Sequence, residues 1–240
     1  MILPTIRASF SRKDVLHLAR LLGRGDEEIR RGAERRLDEE GPDALLDDPR
    51  VLNALLTDPE AAAPTNLVFY VLVRHALLEV GISDRTTADY VASLVVAFGR
   101  AGRAYRVSET DTDEYHYLVD MVERLTTADT HEAFLLRSHL GNFSLWLSGL
   151  FPDYLEARSR RRGAPSIQYY ERMGSTGYRL AARSPEAASL GVERVLADVG
   201  DRFVGVRTAL NLLSDRYLHP RGGDPVNRLL REIAARAPRR

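Results

Sequence analysis

The chain has 240 residues, enough for a substantial core in one large domain or two small ones. Its apolar fraction of 44% and charged fraction of 28% are those of an ordinary globular protein and argue against disorder. A formal net charge of zero excludes a global field toward nucleic acid or anionic lipid. The lack of cysteine excludes disulfides, thiolate metal sites, iron–sulfur clusters and cysteine nucleophiles, and leaves compartment open.

Helical periodicity recurs along the chain, and no period-2 strand interrupts it. Residues 1–10 lack the apolar core of a secretory signal. A short helix is expected over 11–22, with Val15, Leu18, Ala19 and Leu22 on one face. Gly23 and Gly25 then precede a very polar helix over 26–40. Pro42 opens a helix carrying Leu45, Leu46, Leu52, Leu55 and Leu56, and 58–64, with two prolines, reads as a linker. Helices follow over 66–80 and 83–100, the second with Val91, Leu94, Val95 and Phe98 inward. A loop at 99–112 leads to a helix over 113–127, with Tyr115, Leu118, Val119, Val122 and Leu125 inward. A long apolar helix over 130–151 comes next. Pro152 opens a shorter helix that ends in the basic run Arg158, Arg160, Arg161, Arg162, and Pro165 opens one through Tyr169, Tyr170 and Tyr178.

Val192, Leu196, Val199, Phe203, Val206, Leu210, Leu213 and Tyr217 alternate spacings of four and three, a heptad seam suited to shallow helix packing. Gly200 and Gly205 lie inside it, so it reads as one rod or as two helices with a break. A last helix is expected from Pro225, with Val226, Leu229, Leu230 and Ile233. The fold class is therefore all-α: a multi-helix bundle of about ten helices. Residues 1–57 read as a charged N-terminal helical subdomain and 65–240 as the main bundle. The longest apolar run, 67–80, spans about 14 residues and is interrupted by Arg74 and His75, short of the roughly 20 that a bilayer span requires. A soluble cytoplasmic chain is the expectation.

The helices over 66–80 and 130–151 are apolar on every side and are expected at the centre, so their polar residues need partners. His75 and Glu79 share a stripe and suit an intrahelical pair. Arg137 lies on a flank of small residues, Gly141, Ser144 and Ser148, where another helix backbone can approach closely. Arg137 would require a carboxylate, from Glu79 or Glu171, or a bound anion, and Arg74 an internal partner or an anion. Together with His75, His139, Trp146 and Tyr170 they are the candidate interior ligand site, although core ion pairs and satisfied core histidines account for the same residues.

Asp113, His116, Asp120 and Glu123 form a stripe with metal-ligand chemistry, but opposite the apolar face, and no Glu-x-x-His motif is present. No residue pattern implies a cofactor or a bound metal. Residues 18–37 form a degenerate helix-turn-helix, with Ala19, turn Gly23 and Ile29 as packing positions. Its second helix would offer Arg30, Arg31, Arg35 and Arg36 to nucleic acid, against Asp26, Glu27, Glu28, Glu34 and Asp38. The 158–162 run suits a solvated helix C-terminus or an anion contact. Gly174 and Gly177 suit close helix packing; no phosphate loop is formed, since no strand precedes them. Three functions follow: a non-catalytic binding or scaffold protein acting through helix surfaces, as a homo-oligomer or with another protein; a DNA-binding regulator; or a helical-bundle enzyme or ligand-binding protein with an interior Arg/His pocket.

Overall fold

The structure, a computed structural model, describes residues 1–58, 61, 63–100, 102–108 and 111–218. Among them are thirteen α-helices, eleven of seven or more residues, and no strand, so the all-α bundle read from the sequence is the observed fold. The last helix expected from Pro225 and part of the 58–64 linker lie outside the described residues. No described helix is long and apolar enough to cross a membrane.

Local chemistry sets the helix starts. A 3-10 turn, Arg7–Ser9, leads into α1 (Arg12–Leu22), opened by a capping box between Ser11 and Asp14. α2 (Glu27–Glu40) is capped by Asp26, whose carboxylate accepts from two backbone N–H groups of the first turn. The helix expected after Pro42 is two helices, α3 (Asp43–Leu46) and α4 (Pro49–Thr57). The break follows from Asp48, an N-cap, and Pro49, which fits the first helical turn. It leaves Asp47 and Asp48 on a corner, free to accept from side chains.

α5 (Thr65–Glu79) and α6 (Arg85–Phe98) form a helical hairpin turning at Gly81, which adopts φ +78°. α5 is apolar on all sides because it packs against α4, α6 and the C-terminal helices. Val91, Leu94, Val95 and Phe98 point inward as expected, and every residue from Thr87 to Val95 is buried. The centre therefore holds three helices rather than two. After a 3-10 turn, Arg103–Tyr105, α7 (Leu118–Leu125) begins later than its periodicity predicts. The Tyr115 N–H donates to the Tyr105 carbonyl (2.7 Å), and Arg106 pairs with Glu114 (2.9 Å), so tertiary ties hold the preceding segment outside the helix. Leu118 and Met121 face inward, while Val119 and Val122 face out at 52% and 37% exposure, a correction to the expected face.

α8 (Thr130–Leu150) is the central post, packed against α6, α7, α10 and α13, with α9 (Pro152–Arg162) following it. α10 (Ile167–Ala182) crosses it through the small residues read from the sequence. A Cβ added at Gly141 would meet the Tyr178 ring at 2.6 Å, and one at Gly177 the Arg137 carbonyl at 2.8 Å. α11 (Pro185–Ser189) leads to α12 (Glu193–Asp201) and α13 (Phe203–Leu213), with a π-helical turn, Ser214–Leu218, at the end. The heptad seam thus runs across a break at Arg202. From Val192 to Leu213 every seam position is at most 2% exposed, so this stretch is buried inside the one chain.

Two polar devices hold the centre. Tyr90 on α6 and Tyr178 on α10 both donate to the Asn142 Oδ1 of α8, at 2.7 and 2.8 Å, and their rings meet edge to face. At the end of α8, Asn211 donates to the Ser148 and Gly149 carbonyls, and Ser214 to that of Leu150. Those carbonyls have no partner within their own helix.

Candidate functional site

The residues expected to form one interior pocket fall into separate neighbourhoods. Arg74, 3% exposed, is held by Asp47: its Nε and Nη2 donate to the two carboxylate oxygens at 2.7 and 3.0 Å, and its Nη1 to the Ser83 carbonyl at 2.7 Å. This bidentate pair is an internal partner for Arg74; Glu79 and Glu171, expected to serve Arg137, pair with Arg216 and Arg207 instead. The network extends through Arg85, which reaches Asp47 (2.9 Å) and Asp43 (3.3 Å), to Arg7 on Asp43 (2.7 Å). Beside it, Asp48 accepts from Arg36 and Arg50, each at 2.7 Å, and these bonds outweigh burial to hold its carboxyl far below the usual range. His75 is buried and bonds to the Leu46 backbone. Burial pulls its pKa down, and the expected pair with Glu79 does not form.

His139 and Trp146 lie in an aromatic core with Phe98, Phe143 and Phe151. Burial, with Arg103 nearby, pushes His139 down to about 3, so it stands as a neutral core ring. Arg137 is only half-buried, and its charge therefore demands no buried counterion, contrary to the expectation.

In the N-terminal pair, the turn glycine does admit a close crossing. A Cβ added at Gly23 would collide with the Arg30 Cβ and backbone. Ile29, expected as the packing residue, is 43% exposed, and Ala33 is buried in its place. Arg30 pairs with Glu27 and Glu34, Arg31 with Glu27, and Arg36 with Asp48; Arg35 is exposed. Six acids against four arginines give α2 a charge of −2. The metal stripe is also dispersed: Asp113 and His116 precede α7, and the His116 ring lies tilted against that of Tyr105, centroids 4.4 Å apart. No group of three potential metal ligands occurs among the described residues.

The remaining candidate lies on the surface where α7, α9 and α10 meet. Arg158 is sandwiched between the rings of Tyr117 and Tyr154, at 5.8 and 5.4 Å from their centroids, and donates to the Tyr154 hydroxyl at 3.2 Å. It forms no ion pair among the described residues. Tyr170, 8% exposed, completes the cluster: burial raises its pKa, while Arg158 opposes that rise, and Tyr169 meets its ring edge-on at 5.9 Å. Tyr117, the N-cap of α7, is 56% exposed, and Val119 and Val122 on that helix are also exposed. Tyr170 and the 158–162 run stand out in the sequence, while Tyr117 and Tyr154 do not. For Tyr154 the available signal is its place four residues before Arg158 on one helix.

The fold and this face define an all-α bundle with an exposed aromatic, aliphatic and cationic patch. No family model matches the chain, and neither a curated protein nor a solved structure matches it.

Proposed function

We propose that the chain is a non-catalytic binding protein of the cytoplasm that takes a polypeptide partner on the face formed by α7 and α9. The observation that carries this reading is the run Tyr117, Val119 and Val122, exposed at 56%, 52% and 37%, beside a guanidinium held by π faces. Tyrosine and arginine are the residues that concentrate binding energy at interfaces, and an Arg pre-ordered between two rings loses little entropy on binding. A partner that sets an apolar side chain on the two valines and a carboxylate on Arg158 fits this chemistry. A second copy joined through the heptad seam does not, because the seam from Val192 to Leu213 is buried within its own chain.

The test is a photo-crosslinking residue at Val119 in cells of the source organism, with the exposed Leu190 as control position. A discrete adduct at Val119 that is absent at Leu190 and lost with Arg158→Ala is expected. No adduct at Val119, or one that persists in Arg158→Ala, rejects this face. An adduct of twice the chain's mass reassigns the face to self-association.

A further inference from the structure

A cleft of about 350 Å³ opens beside the 3-10 turn Arg7–Ser9, where the start of α1, the end of α2 and α3 converge. This volume falls within the roughly 300–1,000 Å³ of small-molecule sites. Phe10, Val15 and Leu46 line it with apolar surface, and Arg7, Arg12 and Asp38 supply its charge. Each lining arginine has one acid against it, Asp38 in the lining for Arg12 and Asp43 beside the lining for Arg7.

The two arginines differ in a way that suits capture of an anion. Arg7 is fixed: it pairs with Asp43 at 2.7 Å and lies over the Tyr70 ring at 5.6 Å. Arg12 is loose. Its only ion pair among the described residues is with Asp38, at 3.0 Å, and the two side chains are 78% and 63% exposed. An ion pair so exposed contributes little, so Arg12 can exchange Asp38 for a ligand anion at small loss. The wall behind is firm, since Val15 and Leu46 are buried and Phe10 packs edge-on against Tyr70 at 5.6 Å.

We propose that this cleft binds an amphiphilic monoanion, a medium-length apolar chain ending in a carboxylate. The chain lies on Phe10, Val15 and Leu46, and the head takes Arg12 from Asp38. This site is separate from the α7 and α9 face, and neither reading depends on the other.

Decanoate is titrated below its micelle concentration into the full chain carrying labelled methyl groups. Decyltrimethylammonium and decanol serve as matched probes. Saturable 1:1 binding of decanoate is expected, with shifts at the Val15 and Leu46 methyls and none at Val119 or Val122. Arg12→Glu, a change at an exposed position that leaves the core intact, weakens decanoate at least ten-fold. The proposal is overturned if decanoate shifts no methyl in the cleft, if Arg12→Glu binds it equally, or if the ammonium or the alcohol binds as tightly.

Discussion

The corner where the N-terminal helices meet α5 and the interior around α8 both bury polar groups, by opposite means. At the corner, Asp43, Asp47 and Asp48 are interlocked with Arg7, Arg36, Arg50, Arg74 and Arg85. Inside, two phenols share one neutral amide oxygen, and His139 stays uncharged among aromatic rings. The difference follows from water. The corner network reaches solvent at one edge, through Asp47 at 24% and Arg85 at 45% exposure, although Arg74 and Asp48 are buried, whereas Tyr90 and Tyr178 have no exposure at all. Charge joins elements in a network with one edge in water, and neutral hydrogen bonds join them where none reaches.

The contrast breaks most sharply at Asp47. Asp47→Asn leaves the buried Arg74 without its counterion, and urea unfolding is expected to show a loss of about 3 kcal/mol. If Asp47→Asn costs no more than loss of one interior phenol, the corner is not held by charge.

pH separates the interior His139 from the corner carboxylates by window. His139 has its folded pKa at about 3, below its ordinary 6.5, so the unfolded chain takes up a proton first as pH falls. The stability this neutral ring contributes is complete above 6.5 and lost progressively down to about 3, amounting to about 2 kcal/mol between pH 8 and pH 5. Asp47 and Asp48, depressed below 3.8, act only at lower pH, where their contribution is lost as they protonate. Unfolding curves of His139→Gln at pH 8 and pH 5 should therefore differ by about 2 kcal/mol less than those of the wild type. An unchanged difference would show that other groups set the acid limb.

The smallest effects belong to the phenols. Tyr90→Phe and Tyr178→Phe should each cost about 1 kcal/mol, because Asn142 keeps the other donor. The double variant should cost more than their sum, since the Asn142 oxygen is then left buried and unpaired. Simple additivity would mean that the amide finds another donor.

Periodicity made much of the fold legible. It located α5, α6 and α8 to within a few residues at each end, together with the seam of α12 and α13 and the small-residue crossing of α8 by α10. These follow from repeated local patterns. The start of α7 was hidden because Tyr115 is held by Tyr105 across a loop. The partner of Arg74 was hidden because residues 43–57 look like one apolar helix; Asp48-Pro49, an N-cap followed by a first-turn proline, was the overlooked mark of the corner. The Tyr90, Asn142 and Tyr178 knot had no sequence spacing to reveal it, because its members come from three helices and meet only after packing. In the Arg158 cluster, Tyr154 is an i,i+4 neighbour on α9 and was legible, whereas Tyr117 arrives only by packing.

The end of α8 carries a consequence for how the chain is made. Its last carbonyls are received by Asn211 and Ser214, which lie 62 to 64 residues further on. On the ribosome, the central helix must emerge and wait, its final turn still hydrated, while four further helices are synthesised. Only when α13 arrives can that turn shed its water and the bundle close, so the order of translation places completion of the core near the end of the described chain.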